Sequence, residues 1–237
     1  MSREIIAIDG PAAAGKTTVG RRLAARLGWR FLDTGLVYRA LTWLAHQHGV
    51  PADDTPGLLR LVPLLDLRAG APHEAKSATT VWIGGQEVTD ALRDPAIDAD
   101  VSLVARQPAI RAALVALQRR AVGDGPAVVA GRDIGTVIFP DARLKIYLDA
   151  SPEERARRRA AELASRGASA SLEAERAAIL RRDALDSQRT AAPLTVAPDA
   201  VRIVTDGLTA EQVVERILTL WAQRQSTSTG RAGATGQ

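Results

Sequence analysis

The chain has 237 residues, 46% of them hydrophobic, which suits one globular domain with insertions. Its net charge is +4, but aromatic residues make up only 3% of the chain, so the composition argues against a nucleic-acid partner. The sequence has no cysteine, which excludes disulfide and thiolate chemistry, and no apolar run approaches the roughly 18 residues of a membrane span. Because a strand-like run begins close to the N-terminus, we expect no signal peptide and a cytoplasmic protein.

Short apolar runs alternate along the chain with segments of helical periodicity, which is typical of a parallel sheet covered by helices on both faces. The predicted strands are residues 5–8, 30–32, 127–130, 144–148 and 201–204. The predicted helices are residues 15–27, 36–48, 108–122, 152–165, 172–188 and 210–223. We therefore predict an α/β fold of three layers whose ligands lie at the carboxyl ends of the strands.

Two stretches depart from this alternation. Three β-rich runs, with Gly84-Gly85 between the last two, predict a small antiparallel insertion over residues 63–90. The C-terminal residues 225–237 are rich in Ser, Thr, Gly and Ala, so we expect a disordered tail.

A phosphate loop follows the first predicted strand. Lys16 can reach the β- and γ-phosphates of a bound triphosphate and Thr17 can ligate Mg²⁺, while the loop N–H groups and the following helix attract the anion. With Thr18, the segment Gly10-Pro11-Ala12-Ala13-Ala14-Gly15-Lys16-Thr17 forms the predicted binding site for ATP and Mg²⁺. The whole sequence lacks asparagine, which argues against both a guanine-reading GTPase and a protein kinase.

Arginine and aspartate recur where predicted strands give way to turns. Residues 131–136 follow a buried strand at the expected ligand edge, where charged side chains without a ligand would be poorly placed. Arg182, Asp186 and Arg189 share one helix face, although this spacing also fits an ordinary ladder of ion pairs. Arg39 and the run from Arg155 to Arg159 could likewise be solvated helix surface.

These motifs, taken together, resemble those of the bacterial cytidylate kinases. The likeness extends in order from about residue 4 to residue 222 and includes a phosphate loop introduced by Ile8-Asp9. The other shared segments are Leu32-Asp33-Thr34-Gly35, Tyr38-Arg39-Ala40, Gly131-Arg132-Asp133-Ile134-Gly135-Thr136-Val137, Lys145-Ile146-Tyr147-Leu148-Asp149, and Arg182-Asp183 with Asp186-Ser187.

The resemblance implies a P-loop kinase fold that transfers the γ-phosphoryl group of ATP to CMP or dCMP. It implies that the acceptor phosphate is held by Arg39, Arg132 and Arg189, the cytosine by Ser102, Arg111 and Asp133, and the ribose by Arg182 and Asp186. Thr34 and Tyr38 belong to the same expected site. Catalysis is expected of Lys16, Arg132 and Arg189 together with the lid residues Arg155 and Arg159, with Arg158 a weaker candidate.

The same resemblance divides one domain, residues 1–224, into three functional regions. The core comprises about residues 1–35, 108–150 and 190–224, the nucleoside monophosphate region about 36–105, and a helical lid about 152–185. We expect a monomer without membrane contacts. Two alternatives stay open from the residues alone: a kinase for UMP, AMP or a hydroxylated metabolite, and a nucleotide-gated binding protein that associates with RNA.

Overall fold

Strands and helices alternate through most of the computed structural model, which describes residues 4–71, 78–165, 167, 171–189 and 191–232. In chain order the elements are β1 (Ile5–Asp9), α1 (Lys16–Leu27), β2 (Arg30–Asp33), α2 (Gly35–Gln47), α3 (Thr55–Leu61), β3 (Leu65–Arg68), β4 (Thr80–Ile83), β5 (Gln86–Glu87), α4 (Pro95–Ala105), α5 (Pro108–Val122), β6 (Ala127–Ala130), β7 (Leu144–Asp149), α6 (Pro152–Ala164), α7 (Leu172–Ser187), β8 (Val201–Val204) and α8 (Ala210–Ala232).

Five of these strands form a parallel sheet in the order β2-β6-β1-β7-β8. Every residue of β1 and β6 is buried, as expected for central strands of a sheet covered on both faces. Since the strands are parallel, the segments that follow β1, β2 and β6 meet at one edge. This arrangement confirms the predicted sheet and brings the phosphate loop beside residues 33–39 and 131–136.

Successive side chains of β1 enter two different cores because strand residues alternate between faces. Ile6 and Ile8 pack in the cluster that includes Val213 and Trp221 of α8. Ile5 and Ala7 pack in the other cluster, with residues of α2 and α5. The result is the predicted three-layer architecture, with helices on both sides of the sheet.

The predicted antiparallel insertion is present as a three-stranded sheet in the order β3-β4-β5. Gly84 and Gly85, with φ of 58° and 82°, form the turn between β4 and β5, and positive φ at both central residues is what a two-residue hairpin turn of this type requires. Part of the connection between β3 and β4, residues 72–77, lies outside the described residues.

Helices α3 and α4 are present in addition to the predicted helices. Both begin with a capping aspartate followed closely by proline: Asp54 accepts from the Gly57 N–H at 3.0 Å, and Asp94 accepts from the Ala96 N–H at 2.9 Å. A side-chain cap and a proline in the first turn are local helix-start signals. Those signals could have revealed α4, which carries Asp98 and Ser102.

The C-terminal helix is longer than predicted. It continues to Ala232, beyond the predicted end at residue 223 and into the segment expected to be disordered. No proline interrupts this polar segment, so every residue keeps the N–H that the helical hydrogen bonding needs. Residues 233–237 of the predicted tail lie outside the described residues. Within the described chain, the helices lack the combination of length and apolar character needed to cross a membrane.

Helix α1 packs against the sheet at Gly20. A Cβ atom added there would lie 2.5 Å from Cε2 of Phe31, which is itself buried. No side chain fits between the helix and this ring without movement of one of them. Glycine therefore fixes the distance between α1, which carries Lys16, and the sheet.

We expect Gly20→Ala to lower the free energy of unfolding by about 1 to 3 kcal/mol, since overpacking outweighs the better helix propensity of alanine. Urea denaturation measures the change. The Phe31→Leu substitution opens space beside Gly20, so in that background Gly20→Ala should lower the free energy of unfolding by a smaller amount. Stabilisation by Gly20→Ala alone, as at an unhindered helix position, would contradict this packing interpretation.

Candidate functional site

A cleft with two halves opens at the carboxyl edge of the parallel sheet. The loop half, about 670 Å³, lies over the phosphate loop and includes Thr17 and Thr18. The arginine half, about 650 Å³, lies between α2, α4 and α7. Lys16, Thr17 and Arg39 are among the residues that line both halves, so they lie where the two halves meet.

The phosphate loop has the backbone conformation that its glycines allow. Gly10 has φ of 149° and a Cβ atom there would lie 2.1 Å from the Leu148 carbonyl oxygen, so only glycine fits. Gly15, with φ of 92°, precedes α1, and Ala13 is also left-handed, with φ of 58°. A non-glycine residue in this region is strained, and such strain is typical of functional loops.

Lys16 lies buried within this loop. Its Nζ donates to the Pro11 carbonyl at 2.6 Å. Burial lowers the pKa of Lys16 well below its ordinary value, and the neighbouring Arg132 lowers it further. An anion bound in the loop would oppose both effects, because its negative charge would stabilise the ammonium form of Lys16.

Thr17 and Asp33 form a pair of oxygen donors beside the loop. The Thr17 hydroxyl donates to Asp33 Oδ2 at 2.6 Å, and Asp33 Oδ1 accepts from the Gly35 N–H at 3.0 Å. A hydroxyl and a carboxylate next to a triphosphate site fit Mg²⁺, which binds few protein oxygens and completes its shell with phosphate and water. The sequence pattern assigned Thr17 to the metal but did not single out Asp33, although Asp33 is the last residue of β2, at the ligand edge.

The buried carboxylate of Asp9 connects β1 to the segment that follows β6. Asp9, at the end of β1, accepts from the N–H groups of Ile134 at 2.7 Å and Gly135 at 2.8 Å. Burial raises the pKa of Asp9 to about 6, against the lowering effect of these two hydrogen bonds. Asp9 thereby fixes the segment that carries Arg132 and Asp133 relative to the phosphate loop.

A buried ion pair lies at the closed end of the arginine half. Arg111 Nη2 donates to Asp133 Oδ2, and Arg111 Nη1 donates to the Ala105 carbonyl at 3.0 Å. The Arg111 guanidinium also lies 5.3 Å from the centre of the Tyr38 ring. Ser102 and Tyr38 line the same cavity, so the structure brings together these residues, which the resemblance assigns to the base or to the acceptor site.

Thr34 contacts the end of β6, just before the segment that carries Arg132. Its hydroxyl donates to the Ala130 carbonyl at 3.0 Å, where β2 and β6 end. A Cβ atom on Gly131 would lie 2.4 Å from the Thr34 oxygen, so glycine is required for this approach. Thr34 thus positions the segment before Arg132 as well as lining the arginine half.

Asp186 links two of the predicted phosphate ligands. Arg132 Nε donates to Asp186 Oδ2 at 2.7 Å, and Arg189 Nη1 lies 3.7 Å from Asp186 Oδ1. Burial alone would raise the pKa of Asp186, but Arg132 and Arg189 outweigh it and hold the pKa below its ordinary value. Asp186 is therefore a stable anion that orients both guanidinium groups.

A second carboxylate, Asp98 of α4, holds three further arginines. Arg39 donates to Asp98 Oδ1 from Nη1 at 2.7 Å and from Nη2 at 2.8 Å. Arg159 Nη2 donates to Asp98 Oδ2 at 2.9 Å, and Arg182 Nη1 lies 3.8 Å from Oδ1. Burial, followed by the charge of Arg132, lowers the pKa of Arg182 to about 10.

Several buried donors in this cleft lack a hydrogen-bond acceptor among the described residues. They are Nε of Arg182, Nη2 of Arg189 and Nε of Arg111. Leaving a buried charged donor unsatisfied costs free energy, so such groups are normally paired in a functional complex. Together with the lowered pKa of Arg182, they indicate a site for an anionic, oxygen-rich ligand.

The lid arginines are placed differently from the prediction. Arg155 is buried, and its Nη1 lies 2.6 Å from Asp183 Oδ2 and donates to the Ala12 carbonyl at 3.3 Å. Arg155 therefore supports the phosphate loop and does not line the cleft. Arg158 lines the loop half and donates to the Ala14 carbonyl at 3.4 Å, and Arg159 lines both halves. Of the three, Arg158 and Arg159 can reach a bound nucleotide.

Comparison with solved structures supports the fold. A gluconokinase from Sinorhizobium meliloti 1021 aligns with a TM-score of 0.50 over 97% of this chain and 98% of that chain. The two sequences are 14% identical, a level at which the likeness shows the fold alone.

Curated relatives are much closer in sequence. The bifunctional pantoate ligase/cytidylate kinases of Synechococcus sp. (strain JA-3-3Ab) and Prochlorococcus marinus (strain MIT 9313) are each 48% identical to this chain over 93% of its length. The chain spans only 41% and 44% of those two relatives. The family model for cytidylate kinase matches residues 6–223. Because that match covers nearly all of the chain, the protein belongs to the cytidylate kinase family.

Proposed function

We propose that this chain transfers the γ-phosphoryl group of ATP to the phosphate of CMP or dCMP, giving ADP and CDP or dCDP. The observation that carries the proposal is the arginine half, where unpaired guanidinium donors lie beside the buried Arg111–Asp133 pair. The donors fit a phosphate, and the pair fits a base with both donor and acceptor groups. Family membership supports the same reaction.

Cytosine recognition is assigned to Asp133 and Arg111. The carboxylate of Asp133 accepts from the exocyclic amino group of cytosine, as acidic side chains do with this base. Arg111 donates to the acceptor atoms of the ring, with Ser102 beside it. Uracil has a carbonyl oxygen in place of the amino group. That oxygen would face the Asp133 carboxylate, so the binding of UMP would be disfavoured.

Transfer depends on alignment and charge rather than on a protein base. The second pKa of a phosphate monoester is about 6, so the attacking oxygen is largely ionised at pH 7. Lys16, Arg39, Arg132 and Arg189 hold the donor and acceptor phosphates in line and neutralise the charge that spreads over the transferring group. Mg²⁺, held through Thr17 and Asp33, would neutralise the oxygens of the triphosphate.

The helical lid is assigned to residues 152–185, within which α6 and α7 pack together, and the acceptor region to residues 36–105. Arg158, Arg159 and Arg182 extend from these two helices into the cleft. Closure over bound nucleotides would exclude water, which otherwise competes as acceptor. We further propose that the enzyme is a monomer that acts on nucleotides in the cytoplasm.

An acceptor panel tests the proposal. With ATP and Mg²⁺, we expect rapid ADP formation with CMP and dCMP and a kcat/KM at least about tenfold lower with UMP, because uracil places a carbonyl oxygen against the Asp133 carboxylate. A coupled assay that also includes AMP and shikimate measures the preference. Brisk turnover of another acceptor alongside failure of CMP and dCMP would overturn the assignment.

Replacing Asp133 with asparagine tests base recognition. We expect kcat/KM for CMP to fall roughly 100-fold, since one partner of a buried charged pair is lost, and the preference for CMP over UMP to narrow. Asp141→Asn, at an exposed position, is the matched control and should leave both values unchanged. A uniform loss for CMP and UMP with the preference intact would contradict direct reading of the base by Asp133.

Replacing Asp33 with asparagine tests the metal assignment. The Mg²⁺ concentration for half-maximal activity should rise several-fold, about 1 kcal/mol of lost affinity, because an amide is a weaker ligand than a carboxylate. The exposed Asp53→Asn variant serves as control. The assignment fails if the Mg²⁺ dependence of Asp33→Asn matches that of the unmodified enzyme.

A further inference from the structure

Asp98 is the one carboxylate among the described residues that contacts Arg39, Arg159 and Arg182 together. These arginines come from α2, α6 and α7, whereas Asp98 comes from α4. Each is at least partly shielded from solvent, with Asp98 28% exposed and Arg39 17% exposed. The carboxylate therefore lies inside the arginine half, at the contact between the acceptor region and the proposed lid.

Asp98 and a bound phosphate would compete for the same end of the Arg39 guanidinium. Both of its terminal nitrogens donate to the same oxygen of Asp98, at 2.7 and 2.8 Å. The forked end of the guanidinium is the part that binds a phosphate through two parallel hydrogen bonds. Arg39 cannot present that end to a phosphate while Asp98 occupies it, so the two anions compete for the forked end of Arg39.

Electrostatics adds to this exclusion. A phosphate dianion bound between Arg39 and Arg182 would lie within a few ångströms of the Asp98 carboxylate, and like charges at such distances repel by about 1 kcal/mol or more even at high effective dielectric. Arg159 is shared in the same way, although Glu162 also pairs with it at 3.0 Å. Removing the negative charge of Asp98 would therefore favour any phosphate in this half.

We propose that Asp98 is a placeholder anion that specifies nucleotides against free phosphate. It occupies the three arginines until a ligand with further contacts displaces it. A nucleoside monophosphate has such contacts through its base and ribose, whereas inorganic phosphate has none. This inference rests on the proposed function only in taking Arg39 as a ligand of the acceptor phosphate.

The test is a calorimetric titration of inorganic phosphate into protein saturated with ADP, so that the phosphate loop is filled and the arginine half remains open to the titrant. We expect Asp98→Asn to bind inorganic phosphate at least about fivefold more tightly than the unmodified chain. Asp98→Glu keeps the charge and should retain the weak affinity. Asp100→Asn is the matched control, since it removes a charge from the same helix at a position where the carboxylate pairs with His46, at 2.8 Å.

Each result of the titrations either supports or overturns the placeholder role of Asp98. Tighter phosphate binding in Asp98→Asn alone supports the placeholder. Unchanged or weaker binding overturns it, because Asp98 would then merely order the arginines, and an equal gain in Asp100→Asn overturns it by showing a general charge effect. Circular dichroism of each variant establishes that it is folded. None of these readouts requires turnover of CMP, so a failure here is distinct from a failure of the proposed reaction.

Discussion

The concentration of positive charge in one cleft is the constraint on which the rest of the site depends. Arg39, Arg132 and Arg182 approach one another closely enough that burial and mutual repulsion lower the pKa of Arg182 to about 10. Asp186 and Asp98 offset part of this charge by forming ion pairs with guanidinium groups. Under the proposed function, a phosphate ligand would complete the balance and would supply acceptors for the buried donors that have none among the described residues.

The fold supplies the rigidity that such a cleft requires. Parallel strands deliver the phosphate loop, Asp33 and the segment with Arg132 to one edge, and the buried Asp9 holds that segment against the loop through two backbone hydrogen bonds. Gly20 sets how closely α1 approaches the sheet. Under the proposed function, binding energy would then be directed to the transferring group, since little of it would be needed to order the core.

Local patterns were sufficient to predict the sheet, the phosphate loop and the small antiparallel insertion, because apolar runs and glycine pairs act over short distances. The position of Arg155 could not be predicted that way. It and Arg159 share a helix face by spacing, yet only the tertiary contact with Asp183 shows that Arg155 is buried. Asp98 was missed for a similar reason, since its partners Arg39 and Arg159 lie 59 and 61 residues away in the chain.

The proposed reaction requires that the arginine half recognises the phosphate of a cytidine nucleotide. Calorimetric titration of CMP and of cytidine into the same protein at low salt tests it most directly. We predict that CMP binds at least about 100-fold more tightly than cytidine, as expected for two or more charge-assisted hydrogen bonds, and that added salt narrows the difference. Equal affinities for CMP and cytidine would contradict the account.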